Sequence, residues 1–305
     1  MKKLLISISI LIALLVSVDF VLGGLLDFLN DKALENNPSG MVLEYTFKKV
    51  EAEIVIIGSS RASHHYVSSM IQDSLGETVY NCGNDGSFFL YQTCMIDAIL
   101  RRYKPKMIVW DLEPSLLSDK TPNRRLEEID RLSRLFPLFG SNPYLDSILF
   151  KRSDNEKIKL MSSMYRYNSS VLETLYKAFL PYHTYDRGYE PLANKGYKFP
   201  QIVDLIYESP LNSSYVELFE KTVAKCVNNK VDLVFSYSPR LVRSNYNETE
   251  SHRAIKEIAE ANDILLIDHY HYADLMNDST MFKDGAHLND KGAKAFTKQI
   301  IKYLR

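Results

Sequence analysis

The sequence predicts an α/β fold, a doubly wound and mostly parallel sheet, on two observations. From residue 50 onward, short apolar runs of strand length alternate with stretches of helical periodicity. The runs are continuous rather than alternating apolar with polar, as strands covered on both faces require. An order of β-α-β-α then places helices on both sides of one sheet. At 305 residues, with 46% apolar and 25% charged side chains, the chain can bury such a core.

The elements follow in order. After Lys2 and Lys3, residues 4 to 18 carry no charge, Asp19 interrupts, and "FVLGGLL" resumes the apolar run. Together these approach the roughly 20 residues that cross a bilayer. No small-x-small cleavage site and no lipid-anchor cysteine stands here, so residues 1–30 are expected to be an uncleaved membrane anchor, with a cleaved signal peptide as the alternative. The two lysines favour a cytoplasmic N-terminus and an exported remainder. Asp19 is an unwelcome charge at that depth, expected at the outer interface or against a membrane partner.

Strands are expected at Ile54 to Ile57, Met107 to Trp110, Leu233 to Tyr237 and Ile264 to Asp268, with Val79 to Asn81 a fifth. Helices are expected near 62–75, 88–103, 213–229 and 249–262. The last helix starts at Asn289, a suitable N-cap, and repeats Ala293, Phe296, Ile300, Ile301 and Leu304 along one face. Between about 115 and 205 the alternation lapses into helical segments and a loop, "PYHTYDRGYEPLANKGYKFP", read as an insertion over one sheet edge. It is either structural elaboration or a lid or wall beside a site. The domain therefore spans 50–305.

Other features exclude more than they propose. A net charge of −1 gives no long-range attraction for nucleic acid. Twenty tyrosines suit sugar-stacking surfaces and ordinary cores equally. Cys82, Cys94 and Cys226 form neither a disulfide framework nor a C-x-x-C pair, no cluster has metal-ligand spacing, and no cofactor or metal is expected. "GSSRAS" is neither a P-loop nor G-x-G-x-x-G, which disfavours a cytosolic nucleotide binder. N-x-S/T occurs at Asn168, Asn212 and Asn247 and matters only in a host that glycosylates exported proteins.

Two short segments carry the chemistry. In "EIVIIGSSRASHHY", residues 53–66, a strand runs into a turn of Gly58, Ser59 and Ser60 before a helix, so a hydroxyl stands at a strand's carboxyl end. Alone, such a serine is an ordinary helix cap. In "MFKDGAHLNDKGAKAF", residues 281–296, Asp284 and His287 are three apart, close enough for the carboxylate to fix the imidazole tautomer and leave the other nitrogen free for a serine proton. Both segments fall where a doubly wound sheet gathers its sites. His64 and His65 are expected at the surface or rim, Arg240 in a solvated loop with anion binding as its functional alternative, and His269 and His271 at the rim or in plain loop.

The combination resembles the SGNH (GDSL-type) hydrolase family, over about residues 53–305. The resemblance places "GSS" (58–60) at the family's first block, making Ser60 the nucleophile and leaving Ser59 where aspartate is usual. "DGAH" (284–287) stands at the last block, with Asp284 as orienter and His287 as general base. "VYNCGNDGSFF" (79–89) is similar to the second block, with Gly86 an oxyanion N–H and Asn84 a polar contact. The third block departs: "IVWDLEPS" puts Asp111 or Glu113 where an oxyanion-hole asparagine is usual, and an ionised carboxylate cannot donate. A missing donor costs about 3 kcal/mol of transition-state stabilisation.

The resemblance implies an exported serine esterase or O-acyltransferase acting on ester groups, O-acetyl above all, of cell-surface glycans or small acyl esters. It allows a membrane O-acyltransferase as partner. The alternative is a catalytically silent relative that binds glycan or holds a partner.

Overall fold

The structure is a computed structural model and describes residues 1–119, 121–168, 170–180, 185–194 and 209–305. Five parallel strands form one sheet in the order β2-β1-β3-β4-β5, with β1 at Ile54–Ile57, β2 at Val79–Asn81, β3 at Met107–Asp111, β4 at Asp232–Tyr237 and β5 at Leu265–Asp268. This order, reversing direction between β1 and β3, is one of the two common doubly wound arrangements. Side chains alternate along each strand into two separate cores. Val55, Ile57, Ile108, Trp110 and Phe235 enter one, and Ile54, Ile56, Val109, Val234 and Ile267 enter the other. Both faces are covered, which is why the runs read as continuously apolar.

The helices at Phe89–Arg102, Ser213–Asn228 and Glu250–Ala261 fall within two residues of their expected limits. The final helix, Asp290–Ile300, is capped as expected: the Asn289 side chain accepts from the Gly292 N–H. One element differs. The single helix expected over 62–75 is two, Ser60–His65 and Ser68–Leu75, separated by extended backbone at Tyr66 and Val67. The Val67 N–H bonds to Thr297 Oγ1 of the final helix instead of continuing its own ladder. The break sends the Tyr66 ring beneath the sheet, where its hydroxyl donates to Asp111 at 2.8 Å and lies 2.9 Å from Ser236 Oγ. No local pattern announces a tyrosine that satisfies a buried carboxylate 45 residues away.

The described part of the insertion is helical: Pro122–Arg131, Pro143–Leu149, Glu156–Lys159, Ser163–Arg166 and Val171–Phe179, joined by 3-10 turns. Of the expected loop over 181–200, residues 181–184 and 195–200 lie outside the described residues, as does the insertion's end at 201–208. Its middle, 185–194, lies against the second half of the molecule's site, as shown below.

One N-terminal helix, Lys2–Asn36, is long and apolar enough to cross a membrane. It extends beyond the expected anchor limit of residue 30. Its first half is exposed, whereas Leu29, Ala33 and Leu34 pack with Met41 and Ala178 in a small core of their own. Asp19 is docked onto the insertion: its carboxylate accepts from Ser162 Oγ at 2.6 Å and from the N–H groups of Ser163 and Met164 at 2.8 and 3.1 Å, capping the helix Ser163–Arg166.

Candidate active site

The carboxyl ends of β1, β2 and β3 face a common rim, and the segments after them meet there. Ser60 is the first residue of its helix. Ser59 stands at the cap position but makes no side-chain cap bond. The Ser60 hydroxyl does not cap either: its Oγ lies 2.8 Å from His287 Nε2, across 227 residues of chain. His287 Nδ1 is 3.0 Å from each oxygen of Asp284. Because an ionised carboxylate only accepts, Nδ1 carries a proton, and in the neutral ring Nε2 then turns its lone pair to the Ser60 hydroxyl. The three residues singled out in the sequence thus form one chain of hydrogen bonds.

The loop that presents His287 is held from several directions. Asp284 Oδ1 also accepts from the N–H groups of Ala286 and His287, so the carboxylate turns the backbone as well as the ring. Phe282 and Leu288 pair across the loop's base, and the Lys283 N–H bonds to the His287 carbonyl. Asn289 Nδ2 donates to the Thr280 carbonyl below. Burial opposes ionisation of Asp284, but the His287 side chain and the Ala286 N–H outweigh it and hold the carboxyl down at about 2.

That value fixes a pH expectation. A depressed carboxyl pKa leaves Asp284 ionised down to its folded value of about 2, so the proton uptake of an ordinary aspartate, centred near 3.9, is expected to be absent from a profile of log kcat/KM against pH. A second proton entering between about pH 5 and 4 in that profile would show Asp284 to be an ordinary surface carboxylate.

Two glycines let the segments approach. A Cβ on Gly58 would sit 2.6 Å from Ala62 Cβ and 3.0 Å from the Asp111 carbonyl, and one on Gly83 would sit 2.3 Å from the Ser63 N. Side chains there would push apart the end of β1, the Ser60 helix and the loop after β2. The Gly58 carbonyl ties them: it accepts from the Asn84 N–H at 3.3 Å and from Ser87 Oγ at 2.8 Å. Asn84 and Gly86 are therefore in the loop beside the Ser60 segment, and Asn84 Oδ1 accepts from Arg134 at 3.3 Å, which leaves Nδ2 as the amide's donor end.

The third-block carboxylates are not arranged as oxyanion groups. Asp111 is buried and turned under the sheet end, accepting from the Tyr66 hydroxyl and from the Ser238 N–H at 3.0 Å, with Arg61 Nε 3.7 Å away. Burial raises the Asp111 carboxyl above its usual range, partly offset by Arg61 and these donors. Glu113 is more exposed and pairs with Arg61 Nη2 at 3.3 Å. Arg61 itself is buried, donates to the Leu112 carbonyl at 2.9 Å, and is held charged by Glu113 and Asp111 against the pull of burial. Where an asparagine was expected, the chain thus carries an internal ion-pair network beside the Ser60 segment.

The two adjacent histidines require a correction: both are buried rather than at the surface. The short helix ends on them and turns both rings inward. His64 Nδ1 donates to the Glu190 carbonyl at 2.8 Å, and Nε2 faces Asp85 at 3.2 Å. Both partners only accept, so His64 is an imidazolium. Burial works against that charge, but Asp85 and Glu190 carry the pKa above its usual value. Its ring stands edge-on to His287, centroids 5.8 Å apart. His65 is neutral, its pKa pushed well down by burial and by His287 and Arg61, and Nε2 accepts from the Leu288 N–H at 2.9 Å. It therefore pins the His287 loop. The doubled histidine one turn after Ser60 was the available clue.

Of the remaining polar residues, Arg240 is not a freely solvated loop arginine but donates to the Tyr270 hydroxyl at 2.8 Å. His269 is buried, and His271 Nε2 accepts from the Ser244 N–H at 3.0 Å. Two cavities adjoin the Ser60 segment. One, of about 340 Å³, is lined by Ser59, Arg61, Glu113 and Arg240. The other, of about 570 Å³, runs from Ser63, Asn84 and Asp85 to Arg131, Arg134, Tyr185 and Glu190 of the insertion. The insertion is thus one wall of a polar cleft beside the site. No protein-family model and no curated protein matches this chain.

Proposed function

We propose that this protein is an SGNH-type serine esterase or O-acyltransferase, anchored by its N-terminal helix with the catalytic domain outside the cytoplasmic membrane. The observation that carries the reading is the unbroken line Ser60 Oγ, His287 Nε2, His287 Nδ1, Asp284 at the carboxyl ends of parallel strands. Structural serines rarely need a neutral, carboxylate-oriented imidazole as their only side-chain partner, whereas a nucleophile does.

In this mechanism Ser60 Oγ attacks the acyl carbonyl while His287 Nε2 takes its proton. The imidazolium, steadied by Asp284, returns the proton to the leaving hydroxyl oxygen as the acyl bond to it breaks. His287 then takes a proton from water or a second hydroxyl as that oxygen attacks the acyl-serine carbonyl, and returns it to Ser60 Oγ as the acyl–serine bond breaks. Water makes an esterase and a sugar hydroxyl makes a transferase. The Asn84 side-chain amide and the Gly86 N–H are the donors offered to the oxyanion. A cleft lined by carboxylates, guanidinium groups and Tyr185 matches a hydroxylated, acylated glycan better than a long acyl chain. A membrane O-acyltransferase that supplies acyl groups is a compatible partner.

A fluorophosphonate probe tests the reading on the full chain in detergent. Labelling is expected in the native protein and none in Ser60→Ala. An unlabelled native protein that is folded would favour the silent, glycan-binding alternative.

A further inference from the structure

The helix Val171–Phe179 is amphipathic but inside out. Thr174 and Ala178 are 5% and 4% exposed, and Ala178 packs in the N-terminal helix's core, whereas Leu172 (81%) and Phe179 (63%) are exposed and Leu175 (37%) partly so. These last three fall at i, i+3 and i+7, one stripe along a single face. A soluble domain would bury the leucines and the phenylalanine and expose the threonine. The N-terminal helix, which packs alongside, carries an exposed stripe of its own, Val21, Leu25 and Phe28 at i, i+4 and i+7.

The length of the span says what covers this surface. The uncharged run between Lys3 and Asp19 rises only about 22 Å at 1.5 Å per residue, short of the roughly 30 Å of a bilayer's hydrocarbon core. The core must therefore reach past Asp19 to about the level of Gly23. At that level the helix is already joined to the insertion: a Cβ on Gly23 would overlap Ser163, and Asp19 is fully occupied by Ser162, Ser163 and Met164. An edge at Gly23 places Asp19 about 6 Å inside the core, where a carboxylate capped by Ser162, Ser163 and Met164 costs less than a bare one. Beside it, Met161 is 77% exposed and Ile158 also stands out. Further from the bilayer centre, Tyr167 donates to Asp27 at 2.6 Å, Ala178 packs among Leu29, Ala33 and Leu34, and the Lys32 ammonium lies 4.9 Å from the Phe179 ring centre.

We propose that the insertion is a membrane seat: Met161 enters the lipid at the boundary of the span, and the anchor tilts so that the Leu172–Leu175–Phe179 face lies in the headgroup layer. An apolar helix face continuous with a span is the kind of surface that settles at a bilayer interface. The seat would hold the 570 Å³ cleft, whose lining includes Ser170, Thr174 and Lys177 of this same region, at a fixed height above the membrane. Glycan or acyl groups would then be met at the membrane surface rather than in bulk solution. The seat rests on the anchor reading and is independent of whether Ser60 is a nucleophile.

Spin-label accessibility on the full chain in lipid bilayers tests it. The native cysteines Cys82, Cys94 and Cys226 are buried, so single labels can be placed through Leu11→Cys, Met161→Cys, Leu172→Cys, Phe179→Cys and, as an exposed control, Lys256→Cys. The expected order of oxygen over water-soluble nickel-chelate contact is 11 above 161, 161 above 172 and 179, and all above 256. Chelate contact at 161, 172 and 179 equal to that at 256 would overturn the seat. So would exclusion of both reagents, which would mean that a protein covers the face. A Leu11 label outside lipid would remove the anchor, and the seat with it, while leaving the catalytic reading untouched.

Discussion

Replacing Ser60 with alanine is expected to lower kcat/KM for a small acetyl ester by at least about 10³-fold, and His287→Ala by a comparable factor. The two side chains act as one unit, since the imidazole has nothing to deprotonate without the hydroxyl, and the hydroxyl is a poor nucleophile without the imidazole. The double variant should therefore be scarcely slower than either single one. Measured by stopped assay with the full chain in detergent, losses that multiply would show two independent contributions and would sink the triad. Neither change should unfold the protein, because Ser60 is small and partly exposed and the His287 loop keeps its backbone bonds through Asp284, Asn289 and His65. A folded Ser60→Ala variant with full activity would remove the assignment entirely.

The second large effect is on stability rather than turnover. Removing the Asp111 carboxylate leaves the Ser238 N–H without its acceptor, the Tyr66 hydroxyl with Ser236 Oγ in place of a carboxylate, and the buried Arg61 with the half-exposed Glu113 to balance it. Breaking a buried pair from one side costs about 3–5 kcal/mol, so Asp111→Ala should lower the unfolding free energy by about that much. Asp111→Asn keeps an acceptor oxygen and should cost less. Since the Asp111 carboxylate pairs with Tyr66, Ser238 and Arg61 rather than with Ser60, His287 or Asp284, the asparagine variant should also keep its fluorophosphonate labelling. A variant that melts like the native protein but no longer labels would place Asp111 among the reacting groups instead.

How far the site could be read without coordinates depends on the range of each interaction. The strand positions came directly from apolar runs because both faces of the sheet are covered, so burial is written into all of β1 and into β3 and β4 after their first residues. Asp284 and His287 were readable because they lie within one turn of chain. Ser60 became distinguishable from Ser59 only through its resemblance to a known block, and the structure separates them by the 2.8 Å contact to His287. His64 and His65 were misplaced as rim residues because their acceptors and donors, at Glu190, Asp85 and Leu288, lie 21 to 223 residues away in sequence. The same holds for the split helix, whose break at Tyr66 answers to Asp111 and Thr297 and to no breaker residue in the segment itself.

By itself the sequence determined the α/β class, the strands, the capped final helix, a helix long enough to cross a membrane, and the hydroxyl, imidazole and carboxylate whose chemistry is at issue. These are properties of residue type and local period. Only the tertiary structure decided that the third-block carboxylates are neutralised by Arg61, that Asp19 is spent on the insertion, and that a helix with Leu172 and Phe179 turns its apolar side outward. Each of those is a choice of partner, made where segments far apart in the chain must satisfy one another's charge and hydrogen bonds once water is excluded.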